Sequence, residues 1–175
     1  AESSTLVAAA LSLKDAQKRN FYLDFYLNRD TVVDGCGQLS LPSASKLWFT
    51  PDGHWKEPGG YHNYPVSKLI EAALMLENNG YQIFNQYPIL LNASYVMLKY
   101  SFPDLTASAF GDTGRPRQSM ECLESAILMA DKYQLPILPD LLNAAMILEQ
   151  AGQYDRSKSG LTGLLCYLPE LPKAK

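Results

Sequence analysis

Tyr64-Pro65-Val66-Ser67-Lys68-Leu69-Ile70-Glu71-Ala72-Ala73-Leu74-Met75-Leu76-Glu77-Asn78-Asn79-Gly80 is the clearest helix in the chain. Pro65 stands where a first-turn proline is tolerated, because the N–H it lacks would have had no helical partner. Val66, Leu69, Ile70, Ala73 and Leu76 recur at three- and four-residue spacing, which is one face of a 3.6-residue helix. Asn78-Asn79-Gly80 supplies the stop. Such a stripe has to be buried against other elements, so the segments on either side decide the fold.

Downstream, Ile89 to Phe102 reads as a helix that is apolar nearly all round and therefore packed between other helices, ending before Pro103-Asp104. A polar loop, Ser108 to Arg117, leads into a helix with Met120, Leu123, Ile127 and Ala130 on one face. After the turn at Pro136 a further helix carries Leu138, Leu141, Leu142, Ala145 and Leu148, and Gly152 ends it. The tail from Pro169 to Lys175 is expected to fray.

Upstream, Leu13 to Leu27 contains no Gly or Pro and suits a surface helix. Asp34-Gly35-Cys36-Gly37 breaks it, and Pro42-Ser43 opens a short helical run to Phe49. The apolar stretch Leu6 to Leu11 lacks the basic start of a secretion signal and reads as a processed or cloned end. No strand-like alternation of any length is visible. The expectation is an all-α fold, a single helical domain over 1–175, in which antiparallel helix hairpins form an arc or incomplete α/α toroid.

The 175 residues suffice to bury roughly 70% of the surface an unfolded chain exposes. With 47% apolar and 19% charged residues, the chain is expected to fold around a core. A net charge of -3 without any run of like charges argues against nucleic acid as a partner, and no stretch of about eighteen apolar residues offers a membrane span. Cys36, Cys122 and Cys166 stand far apart with no CxxC spacing, so neither a metal site nor a disulfide framework is expected, and no cofactor is called for.

The chemistry is concentrated in Asp52-Gly53-His54-Trp55-Lys56-Glu57-Pro58-Gly59-Gly60-Tyr61-His62-Asn63-Tyr64, which holds both histidines of the protein with a Trp, two tyrosines, an Asn and a Glu. Sugar sites use flat aromatic faces to stack on a ring while Asn, Glu and His bond its hydroxyls and carboxylates. Tyr61, His62 and Asn63 also lie just before a helix start, which favours an anion such as a uronate carboxylate. Lytic cleavage of a uronate polymer needs that carboxylate neutralised, a task for His or Asn, and a base for the C5 proton, a task for Tyr or His.

That run resembles the Asp-Gly, Glu, Tyr-His motif of heparinase II/III-like polysaccharide lyases, and Phe110-Gly111-Asp112 resembles a second landmark about fifty residues further on. The resemblance is tight over residues 48–80, loose to 115 and weak elsewhere. It implies an incomplete α/α toroid, β-elimination on an acidic polysaccharide or oligosaccharide, and a periplasmic or secreted location in a bacterium. It makes His62, with Asn63 beside it, the carboxylate neutraliser and lines the cleft with Trp55, Glu57, Tyr61 and Asp112; the residues themselves add Tyr64, His54 and Arg115 as substrate contacts and leave Tyr61, Tyr64 or His62 near the proton.

Two departures accompany it. In these lyases a tyrosine closely follows the second landmark, whereas here the next one after Asp112 is Tyr133, so the general base stays unassigned. The family also carries a C-terminal β-sandwich, which a chain this short and helical does not contain, so a part of a larger lyase is expected. The residues also admit plainer readings. The aromatic cluster can cap a helix, Glu57 can merely partner a histidine, Asp112 can be a turn residue, and Arg115 with Arg117 can be solvated. His54, Glu57 and His62 match no zinc-binding spacing. The rival functional class is a non-catalytic helical carbohydrate-binding or interaction module, and a third is a protein-interaction domain with no sugar role.

Overall fold

The computed structural model describes residues 2–33, 35–57, 59–103, 106–107, 118–153 and 160–165. Its elements are α1 (Glu2–Ser12), α2 (Ala16–Leu27), β1 (Thr31–Val33), β2 (Cys36–Gln38), α3 (Leu41–Leu47), α4 (Asn63–Glu77), α5 (Ile83–Gln86), α6 (Pro88–Lys99), α7 (Met120–Lys132), α8 (Leu138–Gln150) and α9 (Gly160–Leu165). The protein is mostly helical, with one two-stranded hairpin.

The quoted stretch forms the hub. α4 packs against α1, α5, α6, α7 and α9. The whole stripe of Val66, Leu69, Ile70, Ala73 and Leu76 is buried, and contacts on several sides also bury Ala72 and Leu74. Each fully buried Val, Leu or Ile contributes about 1.5–3 kcal/mol relative to an exposed one. The helix begins at Asn63, two residues earlier than Pro65 suggests, and Val66 N–H makes its first bond to the His62 carbonyl at 3.2 Å. It stops as expected: Gly80 takes a left-handed φ of +88°, and Tyr81 N–H reaches back to the Leu76 carbonyl at 3.1 Å.

α6 packs on α4, α5 and α7, as its all-round apolarity requires. α7 buries Leu123, Ile127 and Ala130, and α8 buries Leu141, Ala145 and Leu148. α7 ends on the same kind of cap as α4, but with Gln134 in the left-handed position at φ +52° and Leu135 N–H bonded to the Ala130 carbonyl at 2.8 Å.

One reading is extended and two are corrected. The apolar N-terminal stretch is a helix, α1, whose Val7 and Ala10 are buried and which packs on α2 and α4. The chain is also not all-α: β1 and β2 pair antiparallel, with Thr31 opposite Gln38 and Val32 opposite Gly37. Asp34-Gly35, read only as a break, is the dipeptide favoured in two-residue hairpin loops, and Gly35 has the positive φ of +79° such a loop needs. α2 starts at Ala16 rather than Leu13 because the Asp15 carboxylate caps it, accepting from the N–H groups of Gln17 at 2.9 Å and Lys18 at 3.1 Å.

Candidate functional site

The loop between α3 and α4 is held by three devices. The first is local: Thr50 Oγ1 donates to Asp52 Oδ1 at 2.5 Å and accepts from His54 N–H at 3.0 Å. Thr50 N–H bonds the His54 carbonyl at 2.8 Å. The second is close approach. Gly53, at φ +96°, lies against the α6 backbone, where a Cβ would come within 2.7 Å of Ala93 N and 2.8 Å of Asn92 Cβ. Only glycine fits there.

The third device is His62. Its ring is 1% exposed. Nδ1 accepts from Trp55 N–H at 3.0 Å, and Nε2 lies 2.9 Å from the Ala93 carbonyl, which can only accept, so the proton sits on Nε2. Burial, with a smaller push from the neighbouring His54, lowers its pKa to about 4 and keeps the ring neutral. The residue expected at a substrate carboxylate has both nitrogens engaged by main chain, and in this arrangement it ties the loop to α6.

His54 differs. Its Nδ1 is 2.6 Å from the Trp55 carbonyl, so Nδ1 carries the proton of the neutral ring and Nε2 keeps its lone pair. Among the described residues Nε2 has no hydrogen-bond partner. The half-buried ring lies 5.0 Å from that of His62 and 5.4 Å from Tyr100, which meets it edge-on at 86°. Tyr100 also donates to Asp52. The bonds from Thr50 and Tyr100 lower the Asp52 pKa to about 2, and the same contact raises that of Tyr100.

Nothing in the sequence around Tyr100 marks it as a site residue. It lies ahead of the second landmark, not behind it, and only the docking of the loop on α6 brings it to His54. Tyr133, the tyrosine that follows the landmark, is elsewhere. It bonds Glu77, at the far end of α4, about 21 Å from Asn63 at 1.5 Å per residue.

Trp55 packs edge-on against Trp48 and Phe49, and its Nε1–H donates to Glu57 Oε2 at 2.9 Å. With Trp48, Gln38 and Lys68 it lines a cleft of about 350 Å³, one wall of which is the hairpin. Tyr61 and Tyr64 are 45% and 64% exposed, and Asn63 is half-buried at the head of α4. The loop thus brings His54, Trp55, Glu57 and His62 together. Asp112 and Arg115, with the rest of 108–117, lie outside the described residues, as do Cys166 and the tail. Asn92-Ala93-Ser94, a glycosylation triplet by sequence, has Ala93 and Ser94 buried in α6. No protein-family model, curated protein or solved structure matches the chain.

Proposed function

We propose that the chain is the helical, toroid-forming part of a larger periplasmic or secreted bacterial lyase that cleaves a uronate-containing polysaccharide by β-elimination. His54 and Tyr100 handle the protons. The observation that carries the reading is the His54 hydrogen bond: with Nδ1–H committed to the Trp55 carbonyl, Nε2 has no partner among the described residues, and the ring lies 5.4 Å from that of Tyr100. The resemblance of Asp52 to Tyr64 to heparinase II/III-like lyases supports it.

In this scheme Asn63 bonds the uronate carboxylate, which makes the neighbouring C5–H more acidic. His54 Nε2 takes the C5 proton, the electron pair forms the C4–C5 double bond, and the C4–O4 bond breaks. The departing O4 takes the Tyr100 proton. Asp52 raises the Tyr100 pKa, so the residue enters each cycle protonated, and its O–H turns from the carboxylate to O4 to donate. The His54 imidazolium then returns its proton to the phenolate, restoring both groups. Trp55 and Tyr61 offer ring faces for stacking.

A non-catalytic glycan-binding module is the second reading, favoured by the full engagement of His62. Ultraviolet absorbance of the chain mixed with a panel of uronate polymers separates the two, because elimination creates an absorbing 4,5-unsaturated end. The lyase reading expects rising absorbance that falls by about 100-fold or more in His54→Ala and Tyr100→Phe. Flat absorbance with polymer still retained, and retention weakened in Trp55→Ala, establishes the binding module. Flat absorbance without retention overturns both.

A further inference from the structure

A second cleft of about 730 Å³ opens between α3 and the start of α6. Phe49, Tyr87, Pro88 and Ile89 give it an apolar wall, and Lys46 and Lys56 stand at its edge. Both lysines are exposed, and neither has an ion-pair partner among the described residues. The lining also includes Ser45, whose Oγ is buried without a hydrogen-bond partner among the described residues.

The combination is selective. A purely apolar ligand leaves two ammonium groups unanswered, and a simple inorganic anion leaves the apolar wall unused. A sugar ring with a carboxylate or sulfate meets both, with its carbon face on Tyr87 and Ile89 and its acid between the lysines. Thr50 and Pro51 line the same cleft and lead directly into Asp52, with Thr50 N–H bonded to the His54 carbonyl at 2.8 Å. The cleft therefore adjoins the His54–Tyr100 pair.

We infer that the cleft between α3 and α6 is a subsite for an acidic sugar residue of the bound polymer, read by Lys46 and Lys56. The inference rests on the proposal that the adjoining loop binds an acidic glycan, and its failure is separable from failure of that proposal.

The test uses a uronate tetrasaccharide and its carboxyl-esterified counterpart as probes of the full chain, with binding followed by calorimetry and elimination by absorbance. Lys46→Gln/Lys56→Gln is expected to weaken binding of the acidic probe about tenfold at low salt, with the difference shrinking as salt rises. The ester is expected to bind wild type and variant equally, and Lys14→Gln, on another surface, to change neither. Because both lysines are exposed, circular dichroism should show the variant folded. Lysine-sensitive binding without any unsaturated product supports the subsite while removing the lyase mechanism. Unchanged affinity and KM in the lysine variant, or an equal loss for acid and ester, overturns the subsite and leaves the mechanism standing. No binding of either probe overturns the subsite as well.

Discussion

The phenol of Tyr100 donates a hydrogen bond to the carboxylate of Asp52 across 48 positions of sequence, joining the end of α6 to the turn that carries His54. Each partner alters the other. The carboxylate is held at a pKa of about 2 and the phenol is pushed up, so over most of the pH range the pair is one anion and one neutral donor.

Tyr100→Phe removes one of the two side-chain bonds that depress Asp52. The Asp52 pKa should rise toward the ordinary carboxylate value while staying somewhat below it, since the stronger contribution, from Thr50, persists. Carbon-detected NMR titration of the Asp52 carboxyl reads this directly. An unmoved titration would show that the phenol does not bond the carboxylate.

His62 predicts an acid-sensitive fold. Its folded-state pKa of about 4 lies below the ordinary 6.5, so the unfolded chain binds the proton more readily between those values. The ring's contribution is fully present above pH 6.5 and is lost as the pH falls through 4, by up to about 3 kcal/mol. In urea unfolding across that range, His62→Gln should flatten this part of the stability profile. At pH 7.5 the variant should already be less stable by about 2–4 kcal/mol, because Trp55 N–H and the Ala93 carbonyl lose their partner.

Gly53→Ala combines a positive φ with a Cβ placed 2.7 Å from backbone nitrogen. Neither the left-handed turn nor the α6 backbone can give way cheaply. A loss of at least about 2 kcal/mol is expected by chemical denaturation. Gly35→Ala makes a useful contrast, since nothing lies within 4 Å of its Cβ position and only the backbone strain applies.

Gln134→Gly should do the reverse. Gln134 holds the left-handed cap of α7 at φ +52°, where a side chain is strained and glycine is not. A gain of about 0.5–1 kcal/mol in thermal or urea unfolding is expected, the backbone relief being partly offset by the greater freedom of glycine in the unfolded chain.

α4, α7 and α8 were legible because their apolar residues repeat at helical spacing, and α6 because it is apolar nearly all round between Pro88 and Pro103. The β1–β2 hairpin was not, because strands of three residues are too short to show alternation; the Asp34-Gly35 pair was the available signal. α1 was passed over because its apolar stretch was weighed only as a secretion signal or a processed or cloned end, although Val7 and Ala10 stand at helical spacing. At the site, composition marked the loop but could not divide the labour between its histidines. That division depends on which carbonyl each ring nitrogen meets, Trp55 for His54 and Ala93 for His62. Tyr100 was illegible for a related reason: its relation to His54 exists only once Gly53 lets the loop dock on α6.

The buried ring of His62 grips main chain alone, an amide on one side and a carbonyl on the other. Neither grip uses the side chain of residue 55, so any residue there that keeps its N–H preserves them. The posture of the loop is therefore inherited independently of its chemistry, and Trp55 and its neighbours are open to drift toward new ligands over generations without the scaffold having to be reinvented.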